Sequence, residues 1–329
     1  MTTSLVKVEN LHRSFGTVRA VDDVSFSMHS GEIIGFIGAN GAGKTTTMRI
    51  IATLDTAERG TVLYRGKDTR DHQHEVRRII GWMPDHFTPY NAMTTRDYLK
   101  FFARAYGFTG REQIMRVEEV ADFTGVKSFM DMPARKVSKG MTQRLCLARM
   151  LLSDPEVLLL DEPAAGLDPA ARLELKNLMR VLADEGKTIL ISSHILNELE
   201  SFSDRLLFIN QGKIIFSGNP SELRREIQGR SSFFLELAAD TVTDQTAVIM
   251  LRLKEFLLCH GEIADVSIQA KSLTFECPAI SDSEIAALLK LLINEGFPLL
   301  QFRRQEQQLE NAFVEILARD TKRGEHEMV

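Results

Sequence analysis

Gly38-Ala39-Asn40-Gly41-Ala42-Gly43-Lys44-Thr45, with Thr46 behind it, matches G-x-x-x-x-G-K-[ST] at every fixed position. The pattern means something only in context, and the context is present. The β-prone run Glu32-Ile33-Ile34-Gly35-Phe36-Ile37 precedes it, and a helix is expected from Lys44 to about Thr53. Glycines let the backbone wrap closely and aim successive N–H groups at one point, a nest for phosphate oxygens. The following helix adds the positive end of its dipole. Lys44 supplies a mobile charge for the β- and γ-phosphates of a nucleoside triphosphate, and the Thr45 hydroxyl stands where Mg²⁺ would be ligated. The nucleotide-binding set read from this stretch is Gly38, Asn40, Gly41, Ala42, Gly43, Lys44, Thr45 and Thr46.

Short β-prone stretches lie before this loop, at 5–8 and 24–28, and a hairpin-like turn comes after it at Arg65-Gly66-Lys67. From about residue 94 to 152 the pattern turns helical, with Met141, Leu145, Ala148, Leu151 and Leu152 at helical spacing. Strands return as the apolar runs Val157-Leu158-Leu159-Leu160 and Thr188-Ile189-Leu190-Ile191. Helical segments bound each run, which is the βαβ rhythm of a parallel sheet buried on both faces. Residues 205–209 and 213–216 flank Asn210-Gln211-Gly212 as a hairpin. Ligands of open α/β sheets gather at the carboxyl ends of strands. Asp161, directly after Leu160, is therefore expected beside the phosphate loop and within reach of Mg²⁺. Glu162 is the carboxylate placed to take a proton from an attacking water.

A polar, charged segment at 221–228 marks a domain boundary. Beyond it the order is strand 233–237, helix about 243–259, strand 263–269, strand 272–276, helix about 282–295 and strand 299–304, the βαββαβ of a ferredoxin-like unit. A last helix is read at about 309–318, then a charge-rich tail. The expected domains are 1–225, with a helical subdomain at about 90–155, then 230–320, then the tail 321–329. A length of 329 residues suits roughly two domains. The net charge of −5 argues against a protein built to grip nucleic acid. Cys146, Cys259 and Cys277 lack ligand spacing, which fits a reducing compartment and three small buried hydrophobes. His72 and His74 form a His-x-His with too few neighbouring ligands for a metal, and read as a polar loop. The N-terminus lacks the basic start and apolar stretch of a secretory signal. No apolar run approaches the ~20 residues that span a bilayer, so membrane work would need another chain to do the crossing.

The phosphate loop, Leu158-Leu159-Leu160-Asp161-Glu162-Pro163 and Val137-Ser138-Lys139-Gly140-Met141 together resemble the ATP-binding subunits of ABC transporters, over residues 4 to about 220 and in the family's order. The resemblance implies an α/β fold: a P-loop NTPase core of the ABC type, with a mixed sheet, N-terminal antiparallel strands and a helical subdomain, joined to the small α+β unit. The segment 137–141 stands where the family has its signature, usually Leu-Ser-Gly-Gly-Gln; Ser138 and Gly140 match, Lys139 and Met141 depart. The implied role is to bind the γ-phosphate of ATP held by an opposing subunit, for which a serine, a glycine N–H and a helix N-terminus suffice. A plain N-cap for the following helix is a compatible reading. Ala164-Ala165-Gly166-Leu167-Asp168 resembles the loop that crosses the dimer interface, with Asp168 the matching acid. Ile191-Ser192-Ser193-His194 resembles the switch-histidine segment, which implies that His194 contacts the γ-phosphate and the attacking water. Phe15 lies where the family has an aromatic, more often Tyr, that stacks on adenine; such stacking is worth ~1–3 kcal/mol and needs only a ring face. A core phenylalanine is the competing reading. After residues 79–83 and Pro84 the family usually carries Gln, and this chain carries Asp85. A carboxylate suits Mg²⁺, yet its charge is unfavourable near a γ-phosphate without the metal. Trp82, Phe87, Tyr90, Met93 and Tyr98 surround that loop, mostly as core, some as the groove for a permease helix that the resemblance implies.

The same resemblance implies a protein that uses ATP and Mg²⁺, works as a homodimer of the ATPase subunit, and hydrolyses ATP with Glu162 and His194 to power transport, export in particular. Membrane permease subunits would be a separate chain, and the protein would sit in the cytoplasm, peripheral on the inner face of the cell membrane. The order of parts is similar to that of the exporter-type group with a small C-terminal domain, whose ending Leu309-Glu310-Asn311-Ala312-Phe313 also resembles. The appended unit reads as a packing or dimer-stabilising domain. The competing function is a soluble ABC ATPase acting on ribosomes or nucleic acid. Such relatives usually carry two cores or a long coiled coil, neither of which is present, and no direct nucleic-acid contact is expected. A regulator without hydrolysis is opposed by Lys44, Asp161, Glu162 and His194.

Overall fold

The computed structural model describes residues 4–89, 92–227, 230–238, 244–259, 263–278 and 281–305. It divides into two compact units, one running to Pro220 and one starting at Ser221.

In the first unit, β1 (Val6–Phe15), β2 (Val18–Met28), β4 (Arg59–Tyr64) and β5 (Lys67–Asp68) form an antiparallel sheet in the order β2-β1-β4-β5. β1 and β2 run 10 and 11 residues, well beyond the short stretches expected from composition. Charged and apolar residues mix along them because each presents one face to solvent. The second sheet has six strands in the order β10-β9-β3-β8-β7-β6: β3 (Ile33–Ile37), β6 (Ile80–Met83), β7 (Val157–Leu160), β8 (Thr188–Ser193), β9 (Arg205–Asn210) and β10 (Lys213–Gly218). All neighbours are parallel except the β9–β10 hairpin. Every residue of β3, β7 and β8 is buried, which is why their sequences are near-continuous apolar runs. Between the two sheets lies one continuous core that also takes Met48 and Ile51 of α1 (Lys44–Ile51).

The register of the parallel strands assembles the site. Ile37, the last residue of β3, pairs with Ser193 of β8, and Leu160 of β7 pairs with Ile191. The phosphate loop, the acid pair and His194 thus leave three neighbouring strands at their carboxyl ends. β6 adds a fourth, since Met83 pairs with Leu160 and the Asp161 N–H donates to the Met83 carbonyl at 2.9 Å.

The helical segment comprises α3 (Thr95–Ala105), α4 (Gly110–Phe123) and α5 (Lys139–Leu151). On α5 and just beyond, Leu145, Ala148, Leu151 and Leu152 are buried as their spacing requires. Of the aromatic set, Tyr98 is core, and Phe87 meets it edge-on at 5.9 Å. Trp82 packs half-buried on the core, and Met93 is half-buried. His74 corrects the loop reading, since it lies in the first turn of α2 (Gln73–Ile79); His72 is the non-helical residue just before that helix, with no side-chain capping bond.

The second unit contains α8 (Pro220–Ile227) beyond its first residue, β11 (Arg230–Leu237), α9 (Asp244–Cys259), β12 (Ala264–Gln269), β13 (Ser272–Pro278), α10 (Asp282–Asn294) and β14 (Leu299–Gln305). The sheet order β12-β13-β11-β14, antiparallel throughout, is the ferredoxin-like arrangement. Its core is aromatic, with Phe233 stacked between Phe275 at 5.3 Å and Phe302 at 5.5 Å. Ser281 and Glu284 close a reciprocal capping box on α10. Tyr90, the helix expected at 309–318, the ending at 309–313 and the tail lie outside the described residues.

The cysteine expectation needs one correction: Cys259 is exposed at the end of α9, and only Cys146 and Cys277 are buried. Burial pushes the Cys146 thiol up to about 11 and raises Cys277 as well. The thiolate is the reacting form. Brief alkylation at pH 8 followed by peptide mass spectrometry is therefore expected to modify Cys259 first and leave Cys146 intact until the protein unfolds.

Candidate functional site

The phosphate loop runs from the end of β3 into α1 with its crest outward: Ala39, Asn40, Gly41 and Thr45 are exposed, while Gly38, Ala42, Gly43 and Lys44 are buried. Gly43 is the N-cap of α1 with φ 110°, a left-handed backbone. A Cβ there would stand 2.2 Å from the Ala20 carbonyl oxygen, so β2 backbone occupies the space that a side chain would need. Gly43 has no side chain to cap the helix, which leaves the first N–H groups of α1 directed at the loop's mouth. Thr46 is half-buried in that first turn.

Lys44, only 6% exposed, folds back onto the loop. Its Nζ donates to the Gly38 carbonyl at 2.7 Å and to the Ala39 carbonyl at 3.3 Å, and lies 3.4 Å from Glu162 Oε1. Asp161 is 2% exposed and both its oxygens accept hydrogen bonds: Thr45 Oγ1 donates at 2.7 Å and Ser192 Oγ at 2.6 Å. A buried carboxylate is tolerable only when so satisfied. Ser192 Oγ in turn accepts the Glu162 N–H at 2.9 Å. Asp161 and the Glu162 backbone are thus joined through one hydroxyl.

Glu162 adopts φ 48°, a left-handed conformation that is uncommon for a residue with a Cβ and costs on the order of 1–3 kcal/mol. The Ser192 bond and a turn bond from the Ala165 N–H to the Glu162 carbonyl (3.1 Å) hold it there. The result sets the carboxylate between two partners: Oε1 near Lys44, and Oε2 at 2.9 Å from His194 Nδ1. His194 follows β8 and is exposed. Five of the expected residues, Lys44, Thr45, Asp161, Glu162 and His194, therefore form one connected cluster.

Phe15, Asp85, Ser138, Gly140 and Asp168 lie on other elements, and no described hydrogen bond or ion pair joins them directly to that cluster. Phe15 ends β1 and is 51% exposed, which excludes the core reading; the Arg13 guanidinium covers one ring face at 4.8 Å. Asp85, two residues beyond β6, is 3.4 Å from His86 Nε2. Ser138 is the N-cap of α5 and accepts from the Met141 N–H at 3.3 Å, with Gly140 half-buried behind it. Asp168 is exposed and caps α6 (Pro169–Asp184), accepting from the Ala171 N–H at 2.9 Å. Ser192 was not assigned a role from sequence. Its signal was a hydroxyl directly after the apolar run Ile189-Leu190-Ile191, at the carboxyl end of a buried strand.

A phosphate loop on the central strand, with an acid pair two strands over and a histidine at the end of the strand between them, is the working end of a P-loop ATPase. Residues 21–165 match the family model described as ABC transporter. The Nod factor export ATP-binding protein I of Ralstonia nicotianae is 31% identical over 98% of this chain and 96% of its own. The ABC transporter ATP-binding protein NatA of Bacillus subtilis is 38% identical over 61% of this chain and 82% of its own. A solved ATP-binding subunit of an ABC transporter superposes with a TM-score of 0.61 at 30% identity, over 68% of this chain and 93% of that one. The chain belongs to the ATP-binding proteins of ABC transporters, and is an ATPase of that family.

Proposed function

We propose that two copies of this chain close on ATP and drive export through a separately encoded membrane permease, with the chain peripheral on the cytoplasmic face of the membrane. The carrying observation is Glu162 held between Lys44 and His194 at the mouth of the phosphate loop. Export is supported by the Nod factor export relative, which aligns over nearly the whole chain. No helix among the described residues is long and apolar enough to cross a membrane, so the crossing falls to a partner.

In this reading the loop N–H groups and Lys44 bind the β- and γ-phosphates, and Phe15 offers its free face to adenine. Glu162 takes a proton from the attacking water, and His194, bonded to it, orients that water against the γ-phosphate. Ser138 and Gly140 of the opposing copy complete the site, and Asp168 lines the interface. Tighter contact in the closed state lets ATP shift the dimer towards closure. The donor set fits Mg²⁺, which binds through one or two carboxylates with substrate phosphates: Asp161, the Thr45 hydroxyl and Asp85 are hard oxygen ligands. When bound, the ion neutralises charge on the phosphates. The second unit serves as an accessory, dimer-stabilising domain.

Asp85→Asn is expected to raise the Mg²⁺ concentration for half-maximal ATPase rate several-fold, read by titrating the ion at saturating ATP. An unchanged rate and an unchanged metal requirement would remove Asp85 from the site. The overall reading is tested by tagging the chain in its native cell, solubilising membranes and identifying what co-purifies. A multi-span membrane protein whose vesicles transport only with ATP is the expected result. Recovery solely with ribosomes or nucleic acid overturns it.

A further inference from the structure

Four residues past His194, Glu198 lies on the short helix α7 (Leu196–Glu200). It is a carboxylate only 8% exposed, and the proposed hydrolysis does not use it. Its Oε2 accepts from Ser193 Oγ at 2.8 Å, and the same Ser193 oxygen accepts the Ile195 N–H at 3.0 Å. Both chain neighbours of His194 are thereby tied to one hydroxyl–carboxylate unit. The other oxygen, Oε1, lies 3.4 Å from Arg172 Nη1 and accepts no hydrogen bond among the described residues. Arg172 belongs to the first turn of α6, and its N–H donates to the Asp168 carbonyl at 3.0 Å. Pro163 and Ala164, in the loop that leads to Asp168, share a small cleft with Arg172, Ser193 and Glu198.

A buried carboxylate has a desolvation cost that only good pairing offsets, and an apolar residue of similar volume would pack there more cheaply. Glu198 is therefore poorly explained by packing alone. What it does is connect: a chain of contacts runs from Asp168 through Arg172 and Glu198 to Ser193 and His194. We propose that Glu198 is a positioning residue for His194, clamping the Ser193-His194 corner to the helix that carries Asp168. An approach of the opposing copy to the Asp168 loop is then felt at the histidine. The inference rests on the role that the proposed function gives to His194.

The test compares steady-state and single-turnover ATP hydrolysis by wild type, His194→Ala, Glu198→Gln, Glu198→Ala, Ser193→Ala and the Glu198→Ala/His194→Ala double variant. Loss of placement by a fraction of an ångström is expected to lower kcat for Glu198→Ala by about 10-fold, with KM for ATP within about 2-fold of wild type. Glu198→Gln, whose amide oxygen still accepts from Ser193, should regain most of the rate. The double variant should be no slower than His194→Ala alone, because nothing is left to position. An equal loss in both backgrounds overturns the proposal, as does a lowered Tm with kcat unchanged. If Glu198→Ala does not fold, Ser193→Ala carries the same comparison. A wild-type rate for His194→Ala would instead sink the reading beneath the proposal.

Discussion

Replacing Glu162 with Gln is expected to lower ATP turnover by about 10²–10⁴-fold, the range of a positioned general base, while ATP still binds. The geometry separates the two effects. Binding draws on the loop N–H groups and on Lys44, whose hydrogen bonds to the Gly38 and Ala39 carbonyls do not involve Glu162. Glutamine is the informative substitution because it keeps the shape of the side chain and the left-handed turn at φ 48°. It removes only the charge that faces Lys44 and the second basic oxygen beside His194. Phosphate release measured alongside equilibrium nucleotide binding checks both halves. Turnover at the wild-type rate would take Glu162 out of its role.

Gly43→Ala is expected to destabilise the nucleotide-free protein by roughly 2–5 kcal/mol and to abolish ATP binding. Two costs add: about 1–2 kcal/mol for a left-handed L-residue and about 1–3 kcal/mol for forced overpacking. The second arises because the methyl group would meet backbone, the Ala20 carbonyl at 2.2 Å, which cannot swing aside as a side-chain end could. Gly41 is the internal control. It also has a positive φ, 81°, yet a Cβ there meets nothing within 4 Å, so Gly41→Ala should cost only the conformational share, about 1–2 kcal/mol. Urea unfolding of the two variants gives the comparison. Equal destabilisation would mean that close approach to β2 is not what demands glycine at 43.

Much of the site was legible because its parts are local. The glycine spacing, the strand before it and the helix after it fall within some twenty consecutive residues. The acid pair was legible because strand-end position in a parallel sheet is itself a structural coordinate. Phe15 was ambiguous from sequence, since an aromatic at a strand end serves a core or a surface equally well; its exposure follows from where β1 stops relative to the sheet. Cys259 was misread for a related reason. Burial of a helical residue depends on which face the sheet covers, and α9 is apolar around much of its circumference. His74 was misread because a seven-residue helix offers too few turns to establish a period.

Sequence alone determined the chemistry available: a phosphate nest, a buried-sheet scaffold, two adjacent carboxylates and a histidine after a strand. Those features are written in residue types at fixed short spacings, where chain geometry leaves little choice. Tertiary structure decided which groups meet. That Asp161 is held by Thr45 and Ser192, that Glu162 faces both Lys44 and His194, and that Glu198 spans from Arg172 to Ser193, all depend on strand order and register. Strand order and register arise from side chains packing between segments that are far apart in sequence, as Thr45 and Asp161 are at a separation of 116 residues, and no local pattern encodes them.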